Sequence, residues 1–140
     1  MKINTKSILK TGLIAGIMIN ISAITMVPVV GNKMDFVLAD RGLPPLSNVA
    51  MLYFCFISFC FGMFLMFLFA LLKPYFKSKI KTVIIASLML WVVAYLFSNL
   101  ALVVYGFMPL QLSVIGTIWG LLELLLAGII GSILYKEIKE

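Results

Sequence analysis

Four long apolar runs constrain this chain more than any other feature. They extend approximately from Ile8 to Val30, Val49 to Leu72, Thr82 to Tyr105 and Leu112 to Tyr135. A helix that crosses about 30 Å of hydrocarbon needs about 20 mainly apolar residues, and each run meets that requirement. Barrel strands are segments of about 10 residues with alternating hydrophobicity. The second run, Val49-Ala50-Met51-Leu52-Tyr53-Phe54-Cys55-Phe56-Ile57, has no such alternation. Of the 140 residues 64% are hydrophobic and 11% charged, the latter under half the roughly 25% of an ordinary soluble domain. The expected fold is all-α: a polytopic membrane protein built as a four transmembrane helix bundle, one membrane domain over residues 1–140.

Charge sets the expected orientation. Lys2, Lys6 and Lys10 precede the first run, Lys73, Lys77, Lys79 and Lys81 fill the second connection, and Lys136 and Lys139 follow the last run. Four crossings put all of these on one side, whereas in the Gly31 to Asn48 loop Lys33 and Arg41 are offset by Asp35 and Asp40. The positive-inside rule then predicts that both termini are cytoplasmic, with Lys73, Lys77, Lys79 and Lys81 as topology determinants that meet lipid headgroups. The net charge of +6 is accounted for in this way, and neither stacking aromatics nor a basic groove points to nucleic acid.

The first run has the basic lead of a signal peptide. It exceeds the usual apolar core of about 7 to 15 residues, and no Ala-x-Ala-like site follows it, so it reads as a retained helix. In the following loop, Asn32 is expected to cap a short separate helix along the membrane surface, with Asp35 at its positive end. Gly42, Pro44 and Pro45 would stop that helix.

Several chemistries lack their residues. Histidine is absent, so serine hydrolysis has no imidazole base, and no glycine-rich phosphate loop occurs. Cys55 and Cys60 stand five apart in one run and point about 140° apart on a helix, which rules out a disulfide between them within it. Membrane thiol oxidoreductases need cysteine pairs at loops, which this chain lacks. No metal site, cofactor or enzymatic activity is expected.

Glu123 is the informative residue. A carboxylate near mid-membrane costs several kcal/mol on insertion scales, so it should face the bundle interior. Gly116, Gly120, Glu123, Ala127 and Gly131 step by four, three, four and four, a stripe about 80° wide on one helix face. In the first run Gly12, Gly16, Asn20 and Ala23 form a similar face. Faces of small residues let backbones approach in lipid, so the first and fourth helices are expected to pair antiparallel, with Asn20 and Glu123 as a buried polar pair. Trp119, one turn before Glu123, and Ser98 and Asn99 of the third run are expected to line that site. Tyr95 falls at the edge of the same third-helix face. Such a pair either glues helices or forms a proton or substrate site.

The segments Lys73-Pro74-Tyr75-Phe76, Lys81-Thr82, Gly106-Phe107-Met108-Pro109, Trp119-Gly120-Leu121-Leu122-Glu123 and Gly131-Ser132-Ile133-Leu134-Tyr135-Lys136-Glu137, with the opening Gly12 to Asn20, resemble a group of small uncharacterised bacterial four-helix integral membrane proteins. The resemblance covers most of the chain. It implies a multi-pass protein of the bacterial cytoplasmic (inner) membrane and nothing catalytic. In that group an acid often follows the asparagine, where this chain has Ser22 and Ala23.

The leading expectation is a structural or accessory subunit whose partners are the lipid bilayer and a larger membrane complex or a second copy in a homodimer. The alternative is a proton-coupled small-molecule carrier or exporter with Glu123 as its protonatable group.

Overall fold

The computed structural model describes residues 3–137, so Lys2, Lys139 and Glu140 lie outside the described residues. Among the described residues the chain is all-helical, without strands. Four helices are long and apolar enough to cross a membrane: α1, Thr5–Asp40; α2, Asn48–Leu72; α3, Lys79–Val104; and α4, Leu110–Leu134. Three begin on a side-chain cap. Asn4 Oδ1 accepts from the Ser7 N–H (3.1 Å), Ser47 Oγ from Ala50 (3.2 Å) and Ser78 Oγ from Lys81 (3.4 Å), each satisfying a donor that a helix N-terminus leaves open.

α2, α3 and α4 lie within a few residues of their expected bounds, but α1 does not. It continues through Val30 and Asn32 to Asp40 as one helix of 36 residues, about 54 Å long. The separate surface helix expected from Asn32 is therefore the end of α1, and Asn32 caps nothing. The residues after Gly31 include Met34, Leu38 and Ala39, good helix formers, and no proline intervenes before Pro44. The stop comes at Gly42, whose φ of 67° takes the left-handed conformation. Its N–H bonds to the Ala39 carbonyl (2.9 Å) and that of Leu43 to Leu38 (2.9 Å), the paired bonds of a Schellman motif. Gly106, with φ 72°, ends α3 likewise, through Gly106 to Val103 (2.9 Å) and Phe107 to Leu102 (2.8 Å).

Gly12 and Gly16 of α1 pack on α2, not on α4 as expected. A Cβ at Gly12 would lie 2.7 Å from Met63 Cα, and one at Gly16 would lie 2.8 Å from Phe59 Cα. At Gly62 it would strike the backbone of Gly12 and Gly16. Glycine on both helices thus brings two backbones together, and Ala23 takes no part because it is exposed. The α4 stripe faces elsewhere: Gly120 lies under the Tyr95 ring, Gly131 against Met66 Sδ, and Gly116 is loosely packed, since a Cβ there would come no nearer than 3.8 Å to Asn99 Nδ2. Ala127 is fully buried. α1 and α4 are antiparallel neighbours nonetheless, joined where Ser7 Oγ accepts from the Lys136 N–H (2.8 Å) and Ser22 Oγ from Trp119 Nε1 (2.9 Å).

The dense core occupies the half of the bundle that holds the termini. Ala15, Ile19, Leu65, Met66, Phe69, Val83, Ala86, Leu124 and Ala127 are buried there, and Tyr135 meets Phe69 edge to face, centroids 5.6 Å apart. Lys73, expected to meet headgroups, is half-buried and pairs with Glu137 (3.5 Å), and Lys81 lies over the Phe76 ring. Lys77 and Lys79 are exposed. Toward the far end the helices show apolar side chains such as Val27, Leu52, Phe56 and Phe97 on the outside.

The α1–α2 crossing separates two glycines that look alike in sequence. Gly62→Ala should cost about 1–3 kcal/mol by overpacking two backbones, whereas Gly116→Ala should stay within about 0.5 kcal/mol. Unfolding of each variant by graded denaturing detergent, followed by circular dichroism, checks the contrast.

Candidate functional site

Tyr95 and Glu123 meet where α1, α3 and α4 come together. Glu123 is buried on α4, and one of its carboxyl oxygens, Oε1, accepts a hydrogen bond from the Tyr95 hydroxyl. Ser22 of α1 accepts from Trp119 Nε1 (2.9 Å), one turn before Glu123 on α4. The Phe61 ring of α2 lies 5.8 Å from that of Tyr95, tilted by 53°. The absence of a side chain at Gly120 is what lets the phenol lie flat on α4, since a Cβ there would enter the ring. Among the described residues one ion pair forms, Lys73 with Glu137, so the Tyr95 hydroxyl and no cation holds the Glu123 carboxyl.

The backbone beneath Tyr95 is unusual. α3 widens into a π-helical turn over Val92–Leu96, where the Phe97 N–H bonds to the Val92 carbonyl five residues back. Trp91, Tyr95 and Asn99 follow at steps of four. In a regular α-helix each such step drifts by about 40°, so the three would fan over about 80°. A turn that takes in an extra residue winds part of that drift back, and all three side chains reach α4. Trp91 Nε1 donates to the Thr117 carbonyl (2.7 Å), Tyr95 to Glu123, and Asn99 Nδ2 to Thr117 Oγ1 (2.9 Å). Lower on the same helix pair, Ser87 Oγ donates to the Leu124 carbonyl (3.2 Å).

The expected pair of Asn20 with Glu123 does not form. Asn20 Nδ2 donates to the carbonyls of Gly16 (3.0 Å) on its own helix and Cys55 (3.3 Å) on α2. The reason is the glycine crossing, which turns the whole Gly12-Gly16-Asn20 face toward α2. Trp119 reaches Ser22 beside the carboxyl, and Asn99 serves the α3–α4 contact one turn away. Ser98 is exposed and donates to the Val93 carbonyl (3.4 Å), outside the cluster. Tyr95, at the edge of its face in the sequence pattern, is the residue that holds the acid. Its signal was the four-residue spacing of Trp91, Tyr95 and Asn99, each with a side chain able to donate.

Chemically, the arrangement is a carboxyl held by a phenol, with a serine and an indole next to it. It can bind or release a proton and can fasten three helices. Among the described residues no three metal-ligating side chains converge. No protein-family model, curated protein sequence or solved structure matches this chain.

The phenol–carboxyl bond has a measurable weight. Tyr95→Phe strands the carboxyl and should cost about 1–2 kcal/mol of bundle stability. In a Glu123→Gln background the same change should cost less, because residues that share one contact do not add. A double-mutant cycle in denaturing detergent measures the coupling.

Proposed function

We propose that this chain is a small structural or accessory subunit of a bacterial cytoplasmic (inner) membrane, with both termini in the cytoplasm and the Tyr95–Glu123 contact serving as an interhelical clasp. The observation that carries the reading is the way the acid is held. Its carboxyl is engaged by the Tyr95 hydroxyl of a neighbouring helix, and among the described residues no buried side-chain nitrogen or oxygen lacks a hydrogen-bond partner. A polar group fully occupied in this way stabilises a helix arrangement, since in hydrocarbon the alternative is an unpartnered dipole. The concentration of lysines near the termini and in the α2–α3 connection supports the orientation. The bacterial compartment is what the resemblance read from the sequence implies. A larger membrane complex is the partner this reading calls for, and a second copy of the chain is the alternative partner.

One observation favours a second reading, a proton-coupled carrier or exporter. The tyrosine that holds the acid sits on a π-helical turn, a feature often found at functional sites and able to shift register.

Affinity purification from native membranes should return a stoichiometric partner protein, and Glu123→Gln should leave that association in place. Recovery of the chain alone, together with pH-gradient-driven uptake into vesicles that Glu123→Gln abolishes, would replace the subunit by the carrier. For the orientation, Asp40→Cys should be labelled from outside intact cells and Ser78→Cys should not, both in a background without Cys55 and Cys60. Labelling at Ser78→Cys reverses the topology.

A further inference from the structure

The end of α1 is only partly covered: Met34, Val37 and Leu38 are half-buried on one face and none is buried. α1 and α2 run antiparallel in fixed register, Gly12 beside Met63, Gly16 beside Phe59 and Asn20 beside Cys55. Each step of four along α1 is a step of four back along α2, so Asn48, the first residue of α2, comes level with Val27. No turn of α2 faces α1 beyond Pro28. No residue of α1 past Ile19 is buried, and Val27, Val29 and Phe36 are exposed, the last at 76%.

Two features mark the limits of this stretch. Pro28 lies inside α1 and cannot donate to the Ile24 carbonyl, which opens the ladder at that point and makes it the natural bend. At the other limit, the Arg41 guanidinium donates to the Gly106 carbonyl (2.5 Å) and lies over the Phe107 ring, 5.7 Å from its centroid. Among the described residues this is the one side-chain hydrogen bond between α1 beyond Pro28 and the rest of the protein. Its chemistry is well matched. Gly106 closes the C-terminus of α3, where the unpaired carbonyls carry the negative end of the helix dipole, and Arg41 closes the C-terminus of α1. One cation therefore serves two helix ends.

We infer that α1 beyond Pro28 is an arm, hinged at that proline and latched by Arg41 onto the C-terminal end of α3. The arm sets how far the α1–α2 pair stands from the α3–α4 pair at the end of the bundle away from the termini. Below the hinge, the α1–α2 crossing and the Ser22–Trp119 bond hold α1 in place whether the latch is closed or open. The inference rests on geometry alone and does not depend on the subunit or carrier reading.

The test is a distance measurement by double electron–electron resonance on the full chain in lipid nanodiscs, with Cys55 and Cys60 replaced by serine. One pair of nitroxide labels, on Ala39→Cys and Leu110→Cys, reports the arm. A second pair, on Leu13→Cys and Ile129→Cys, reports the packed half. With Arg41 present, the arm pair should give one dominant distance. Arg41→Gln removes the cation, and the ratio of displaced to latched arm should rise about two- to fivefold, the loss expected for one exposed charge-assisted contact. The second pair should not change. Adding Pro28→Ala should narrow the displaced population by stiffening the hinge. An arm distribution that Arg41→Gln leaves unaltered would overturn the latch, as would broadening of both pairs together. A displaced population that Pro28→Ala does not narrow would overturn the hinge.

Discussion

In hydrocarbon two apolar helices gain little by touching, because lipid tails satisfy their side chains equally well. What this bundle depends on is the backbone approach of α1 and α2 over Gly12, Gly16 and Gly62, where side chains are missing on both surfaces. That approach orients the first helix. It sends Asn20 to the Cys55 carbonyl, leaves Ser22 facing α4, and so reserves the carboxyl of Glu123 for a partner on α3.

Around that crossing the contacts between helices follow one pattern: a side-chain donor on one helix and a carbonyl or hydroxyl acceptor on the next. Ser87 to Leu124, Trp91 to Thr117, Asn99 to Thr117 and Trp119 to Ser22 all obey it. Each bond is worth little on average in a membrane. Their value is in register, since a donor displaced by one turn meets no acceptor and lies unpaired in a medium without water. The Tyr95–Glu123 contact is the member of the set in which the acceptor also carries a titratable group.

The helices were legible in the sequence because length and hydropathy are local properties. So was the burial of Glu123, which follows from the cost of a carboxylate in lipid. The partner of that acid was not legible. Two stripes of small residues fit one another on paper as well as either fits a third helix, and the sequence between Gly12 and Ala23 holds nothing that distinguishes α2 from α4 as its neighbour. Gly62 has no local mark in the sequence of the close backbone contact it makes. The length of α1 was hidden for a related reason. Gly31 and Asn32 read as a boundary because they often are one, and here the helix carries them along. A π-helical turn leaves no trace in periodicity, since one surplus residue in a run this apolar looks like any other.

That surplus residue has a consequence for how the gene can vary. A π turn spreads one extra residue over nearly the rotation of an α turn, so loss of one codon within Val92–Leu96 that restored an ordinary ladder would leave the rest of α3 close to its present orientation. The same loss in the regular part of α3 would turn every later residue by about 100°. Asn99 would then leave α4. The wide turn is therefore a stretch of a packed helix where a residue can be lost without displacing those beyond it.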